Sequence, residues 1–268
     1  MQKIIMLGTG HGFVYNCYNT CFIMQNDSKY FLVDTGGSAH IVQNLEKLNI
    51  NLNDIHDIFI SHCHTDHILG LFWLMKRMSG MVRASKYDGV LNIYCNDEVA
   101  KAIRNIYPNL FPELYVDLIS NYLNIIVLND GEIKNIAGRN YTFFDVKAKG
   151  NKLYGFKTLL DNNEKLVFLG DETCNSEIYD EIKNSGYVMH EAFCLDREQE
   201  IFKPYEKHHS TVKSVCETFK DFNIKNLILF HSEDTHLTNR KELYLDEGRQ
   251  YYSGNILIPD DLEIIELN

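Results

Sequence analysis

Apolar positions come in short runs broken by turn-forming residues, and the runs carry two different periods. Lys3-Ile4-Ile5-Met6-Leu7 predicts a strand that stops at the glycine turn Gly8-Thr9-Gly10. Cys21-Phe22-Ile23-Met24 and Tyr30-Phe31-Leu32-Val33 flank Asn26-Asp27-Ser28, which predicts a hairpin. The second of these strands runs into Asp34-Thr35-Gly36-Gly37. Ile41, Leu45 and Leu48 then recur at helical spacing. Ile58-Phe59-Ile60 reads as a short buried strand that delivers Ser61 and a run of histidines to its C-terminal end. Residues 69–78 predict a helix, with Phe72 and Trp73 in the core. Leu91-Asn92-Ile93-Tyr94-Cys95 predicts a strand, followed by a helix capped by Asn96 or Asp97 and ending near Pro108.

The middle of the chain turns strand-rich, at 124–128, 141–146, 154–159 and 166–169. A helix over 176–184 precedes the strand Tyr187-Val188-Met189. Another helix starts at Ser210-Thr211 and carries Val212, Val215, Cys216 and Phe219 on one face. A strand at 226–230, a helix over 239–251 and a terminal strand at 262–266 complete the pattern. Each half is thus a set of strands followed by helix–strand alternation. That order fits two sheets packed together with helices outside, an αββα layering of the α/β class. No tandem repeat is visible and only four prolines occur, so no linker divides the chain; residues 1–268 read as one domain.

Composition narrows the setting. With 45% hydrophobic and 24% charged residues the chain can fill a core, which argues against disorder. The apolar stretch at the N-terminus is short for a signal peptide, and no window nears the roughly 18 apolar residues of a membrane span. The expectation is no membrane partner. Seven cysteines without a CxxC pair read as reduced thiols, which places the protein in the cytoplasm. A net charge of −11 speaks against a general nucleic-acid binder. Lys76, Arg77, Arg83 and Lys86 could form a local basic patch, but a solvated helix end is the simpler reading.

The chemistry concentrates in His62-x-His64-x-Asp66-His67, four metal-capable side chains within six residues. A chain leaving a sheet in a tight loop can turn His62 and His64 to one side and Asp66 and His67 to the other. Imidazoles with carboxylates suit a borderline divalent ion such as zinc.

This run resembles the signature of the metallo-β-lactamase superfamily, and the resemblance covers nearly the whole chain. It implies the metallo-β-lactamase fold, an αββα four-layer sandwich of two mixed β-sheets flanked by helices. Asp34-Thr35-Gly36 looks like the superfamily's aspartate-bearing strand end, which supports the metal loop. Phe168-Leu169-Gly170-Asp171-Glu172-Thr173 resembles the strand end with the bridging aspartate, Asp171, and His231 matches the last histidine ligand. By that resemblance one metal takes His62 and His64, and the other Asp66, His67 and His231, with Asp171 between them. The implied cofactor is one or two Zn2+ ions, with Mn2+ or Fe2+ as alternatives. One position departs from the family: Lys147 stands where two-metal members carry a further histidine. Lysine is cationic at neutral pH and repels a metal. A one-metal enzyme and a lysine turned to the substrate phosphate both follow from that.

Two loops resemble those of ribonuclease Z: Met189-His190-Glu191-Ala192-Phe193 and His208-His209-Ser210-Thr211. They imply a phosphodiesterase in which His209 protonates the leaving oxygen, with Glu191 as its orienting partner. Ser210-Thr211 also reads as a plain helix N-cap. The implied reaction is metal-assisted hydrolysis near Asp66 and Asp171, the cation lowering the pKa of a water towards about 7. The long tRNA-gripping arm of ribonuclease Z has no room here, because only residues 157–169 separate Tyr154-Gly155-Phe156 from Gly170-Asp171. The favoured substrate is therefore RNA or a smaller phosphodiester. An ester, thioester or lactone hydrolase is the enzymatic alternative; a degenerate binding member, motivated by Lys147, is the other. The ribonuclease Z resemblance also implies a homodimer, through the helix near residues 69–81. His11, His40, His56 and His236 have no motif around them and are expected to be surface or packing residues.

Overall fold

β-Branched and aromatic runs form strands because they fit a pleated, half-buried surface. The computed structural model, which describes residues 2–267, gathers fourteen of them into two seven-stranded sheets. The first sheet opens with β1 (Gln2–Gly8), β2 (Cys21–Asn26) and β3 (Lys29–Val33), paired antiparallel in sequence. It continues in parallel through β4 (Ile55–Ile60), β5 (Leu91–Cys95) and β6 (Leu123–Val127). The second sheet repeats the plan. β7 (Ile133–Ile136), β8 (Arg139–Asp145), β9 (Tyr154–Leu159) and β10 (Lys165–Phe168) pair antiparallel in sequence. β11 (Tyr187–Glu191), β12 (Asn226–Phe230) and β13 (Asn255–Leu257) extend it in parallel. The last strand, β14 (Ile264–Glu266), returns to the first sheet beside β1.

Parallel neighbours need crossovers, and helices supply them. The first half uses α1 (His40–Lys47), α2 (Thr65–Arg83), α3 (Asp97–Leu110) and α4 (Glu113–Ser120). The second uses the short α5 (Tyr179–Ile182) and α6 (Gln199–Phe202), then α7 (Val212–Phe219) and α8 (Arg240–Gly248). Strand periodicity sorts the side chains into layers. On β1, Ile4 and Met6 face the second sheet, while Ile5 and Leu7 face the helices of the first half. Between the sheets the core is aromatic: Phe156 has the rings of Phe31, Phe59, Tyr141, Phe143 and Phe168 between 5.2 and 6.1 Å away. Outside the second sheet, Val167, Val188 and Leu227 pack under Val212, Val215, Cys216 and Phe219 of α7. The result is the αββα sandwich with two mixed sheets.

Several elements differ from the sequence reading. β7 has two polar residues in four, and β13 is three residues long, too short to show a period. α4 follows α3 after a break at Phe111 and Pro112. Pro108 lies inside the last turn of α3, which Asn96 caps by accepting from the Val99 amide. Residues 176–184 form a 3-10 turn and one turn of α5 rather than a full helix. α2 begins at Thr65, so Asp66 and His67 ride on its first turn. Phe72 is buried, but Trp73 is 51% exposed. Consecutive helical residues point about 100° apart, so both cannot face one sheet. The basic residues nearby are partly engaged: the Lys76 ammonium sits 4.1 Å from the Tyr115 ring, and Arg77 lies 4.0 Å from Glu46. Among the described residues no helix is long and apolar enough to cross a membrane.

α2 docks on the end of β3 through Gly70, whose amide donates to the Gly36 carbonyl at 2.8 Å. A Cβ at Gly70 would stand 1.9 Å from the Thr35 carbonyl oxygen, whereas one at Gly80 meets nothing within 4 Å. Gly70→Ala should therefore cost about 1–3 kcal/mol of unfolding free energy. Gly80→Ala should be neutral or gain up to about 1 kcal/mol from helix propensity. Urea denaturation followed by circular dichroism measures both; equal effects would remove the role given to close approach.

Candidate metal centre

The site stands where β3, β4, β10 and β12 end on a common edge. Asp34, Gly170 and His231 all leave their strands with positive φ, at 54°, 74° and 58°. This left-handed turn swings the following chain, or the side chain itself, across the strand end. Asp34 does not reach a metal position. Its buried carboxylate accepts from the Ser61 amide at 2.8 Å, the Ser61 hydroxyl at 2.7 Å and His67 Nδ1 at 2.8 Å.

These bonds assign the histidine ring protons. A ring nitrogen at hydrogen-bond distance from a carboxylate donates, so His67 carries a proton on Nδ1 towards Asp34, while its Nε2 faces Asp66 at 3.3 Å and Asp171. The Ser61 hydroxyl spends its one hydrogen on Asp34, so at 3.0 Å it accepts from His62 Nδ1. The Thr20 hydroxyl donates to the Gly10 carbonyl and therefore accepts from His231 Nδ1 at 3.1 Å. In His62 and His231 the proton on Nδ1 leaves the Nε2 lone pair free, and the Nε2 atoms of all three rings point at Asp171. His62 Nε2 lies 3.4 Å from Asp171 Oδ1; His67 Nε2 and His231 Nε2 lie 3.2 and 3.4 Å from Oδ2.

The electrostatics show what the cluster lacks. Burial alone would raise the Asp171 carboxyl, yet the imidazoles of His62, His67 and His231 hold it well below the usual carboxylate range. Burial pushes His62 down to about 4 and His231 well below its ordinary value. Burial also opposes charge on His67, but Asp171, Asp66 and Asp34 together hold it well above the ordinary imidazole value. His62 Nε2, His67 Nε2 and Asp171 Oδ1 are buried and make no hydrogen bond. Buried polar atoms without partners are costly and rare. Imidazole lone pairs gathered round carboxylates fit divalent cations. Two donor groups result: Asp66, His67, Asp171 and His231, and His62, His64 and Asp171, with the donor atoms of each within 4.8 Å of one another.

The remaining residues named from the sequence fall in different places. His209 lies beside the cluster, its ring 5.1 Å from that of His231 and stacked on Phe193 at 4.9 Å. Its Nδ1 donates to the Asp171 carbonyl at 2.6 Å. Glu191 is not its orienting partner: the closest approach is 3.9 Å, beyond hydrogen-bond range. Glu191 is fully buried and accepts from the Ser210 amide at 2.6 Å, so it holds the loop before α7. Burial raises its carboxyl well above the usual range. Lys147 is turned to other carboxylates; its ammonium lies 3.3 Å from Asp145 and 3.5 Å from Asp130, which already partner its charge. His11, which the sequence left as a packing residue, arrives at the site on the loop after β1. Its ring lies 4.4 Å from Phe193 and 6.4 Å from His231, and burial lowers it to about 4. Thr20 was missed altogether. A single hydroxyl before a strand carries no signal when its partner is 211 residues away.

A family model described as the anti-Pycsar protein Apyc1 matches residues 2–247. The chain belongs to the anti-Pycsar protein Apyc1 family. This Apyc1-family chain is also 25% identical to the ribonuclease Z of Thermococcus sibiricus over 309 aligned positions, covering 100% of this chain and 97% of that one. Its fold matches the metallo-β-lactamase fold protein YhfI of Bacillus subtilis with a TM-score of 0.79, at 18% identity over 98% of both chains. It also matches Zn2+-bound PqqB of Methylobacterium extorquens with a TM-score of 0.76, at 11% identity over 99% of this chain and 100% of that one. The Apyc1-family chain is a ribonuclease Z-like, metal-dependent hydrolase with the metallo-β-lactamase fold.

Asp34 supports the cluster without belonging to either donor group, and such supports typically set metal affinity by about 10–100-fold. Asp34→Asn keeps the shape but puts an amide where three donors converge. Chelator competition should show metal affinity falling by about that factor. Unchanged affinity would mean that the Ser61 and His67 contacts do not orient the site.

Proposed function

We propose that this chain is a phosphodiesterase acting on RNA or smaller phosphodiesters. The observation that carries the reading is the convergence of two donor groups on Asp171, with the His209 imidazole hydrogen-bonded to the same residue. His62, His64 and Asp171 would hold one cation, and Asp66, His67, Asp171 and His231 the other. When bound, such cations acidify water and polarise phosphoryl oxygens. Asp66, which His67 and His231 hold below the usual carboxylate range against the opposing effect of burial, would orient the attacking water. The Asp171 carbonyl fixes the His209 ring through Nδ1, leaving Nε2 to meet the leaving oxygen. Glu191 would act on His209 only indirectly, by holding the Ser210 backbone. Lys147, already partnered, would reach a substrate phosphate only by leaving Asp145 and Asp130.

Zinc is the favoured ion on the strength of the imidazole-rich donors and the Zn2+-bound structural neighbour, with Mn2+ or Fe2+ as alternatives. β9 and β10 are joined by residues 160–164 alone, which leaves no arm to grip a large RNA and favours a small diester. The seven free thiols support a cytoplasmic setting. One domain over residues 1–268 and a homodimer through α2, where Trp73 is half exposed, complete the reading.

Turnover of bis-p-nitrophenyl phosphate against a p-nitrophenyl ester, with metal content measured on the same preparation, tests it. Diester turnover with bound metal is expected, and Asp66→Ala should abolish it with the circular dichroism spectrum unchanged. His209→Ala should slow cleavage of RNA or a dinucleotide by about 10²–10⁴-fold. It should slow the p-nitrophenyl diester far less, because that leaving group departs without a proton. Ester turnover alone would overturn the phosphodiesterase reading, and a protein with neither metal nor turnover would be a binding member of the fold.

A further inference from the structure

Beyond the strand-end cluster, the described residues bring a second set of metal-capable groups together, Glu198, Glu233 and His236. Glu198 closes the 3-10 turn Asp196–Glu198, and the other two lie on the loop that leaves β12 after His231. Glu233 is 1% exposed. One of its oxygens accepts from the Thr235 amide and hydroxyl, while the other, Oε1, is buried with no partner. Glu198 places Oε1 at 2.6 Å from His236 Nε2, and its Oε2 is likewise buried without a partner. One donor atom from each of the three residues falls within 4.8 Å of the others.

We propose that Glu198, Glu233 and His236 form a further divalent-cation site, separate from the strand-end cluster. Two carboxylates with unpartnered oxygens facing one imidazole make a pocket short of positive charge and of hydrogen-bond donors. The hydrogen shared between His236 Nε2 and Glu198 goes to Oε1, so Glu198 Oε2 and Glu233 Oε1 stay uncompensated. A cation supplies what both lack, and its binding displaces that proton to solvent. Two carboxylates and an imidazole suit Zn2+ or Mn2+, whereas Ca2+ would require six or more oxygens. His236 is partly exposed, so water can complete the coordination.

The position gives the site a mechanical role. The Glu233 amide donates to the Phe193 carbonyl at 2.8 Å, and Phe193 stacks on His209. The neighbouring Asp234 accepts from the Tyr15 and Asn16 amides, both at 2.7 Å, on the loop that carries His11. A cation joining Glu198 to residues 233–236 would cross-link the segment before His209 to the segment after His231. The site is structural and holds whether or not the substrate is a phosphodiester.

Equilibrium dialysis of the full chain against Zn2+ or Mn2+, followed by elemental analysis, tests this directly. The comparison is between the parent, His236→Ala and Glu198→Gln, each also carrying Asp66→Ala and His67→Ala to weaken the strand-end cluster. In both backgrounds His236→Ala and Glu198→Gln should hold one metal equivalent fewer than their parent. Zn2+ should raise the melting temperature of the weakened parent and leave that of its His236→Ala derivative unmoved. His236 is at the rim, so its substitution should leave the fold intact by circular dichroism; Glu198→Gln provides a second reading. Equal metal content and an equal thermal shift with and without His236 would overturn the site.

Discussion

Three hydrogen bonds converge on the Asp34 carboxylate, and they join the end of β3, the end of β4 and the first turn of α2 into one rigid corner. A buried carboxylate is tolerable only when donors surround it. Here the donors are the backbone and side chain of Ser61 and the ring of His67, so satisfying Asp34 also aims the histidine run. The Ser61 hydroxyl passes the constraint on to His62, fixing which nitrogen that ring presents. The Thr35 amide and hydroxyl both donate to the His67 carbonyl, at 2.9 and 2.7 Å, locking the same corner from the backbone side. Remove the carboxylate and the donors lose their common direction, although none of the strands need unfold.

The repeated sheet plan explains why the site lies between the halves. Each half contributes parallel strands whose ends point to one edge, and the aromatic layer between the sheets keeps those edges level. His62, His64, Asp66 and His67 come from the first half; Asp171, His209 and His231 come from the second. Cross-links near the edge hold the two in register: the Tyr154 amide donates to the Ser61 carbonyl, the Ser232 amide to Thr9, and the Thr20 hydroxyl meets His231. A bridging carboxylate such as Asp171 is useful only while that register is kept.

Much of this was legible in the chain. Runs such as Ile58-Phe59-Ile60 announced strands because burial on both faces demands unbroken apolar residues. The histidine run announced the site because its ligands are neighbours in sequence. What escaped reading depends on distance or on small size. Thr20 and His11 matter only through residues brought from the far half of the chain, and β13 is too short for a period to show. Trp73 was misplaced because an apolar helix of 19 residues has more hydrophobic positions than its sheet can cover. The link between Glu191 and His209 followed from the loops' resemblance, but the Asp171 carbonyl is closer to His209 Nδ1 and takes the hydrogen bond.

The left-handed backbone at Asp34 and His231 bears on which substitutions the chain can sample. Asparagine, aspartate and histidine enter that conformation most readily among residues with a side chain, and β-branched residues enter it least. Backbone preference and chemical need therefore overlap at both positions. Drift would pass first through residues that keep the turn and discard the donor, such as asparagine at either site. A lineage losing the reaction could thus retain its architecture with little disturbance, and shape alone would be a poor guide to which of its members still turn over.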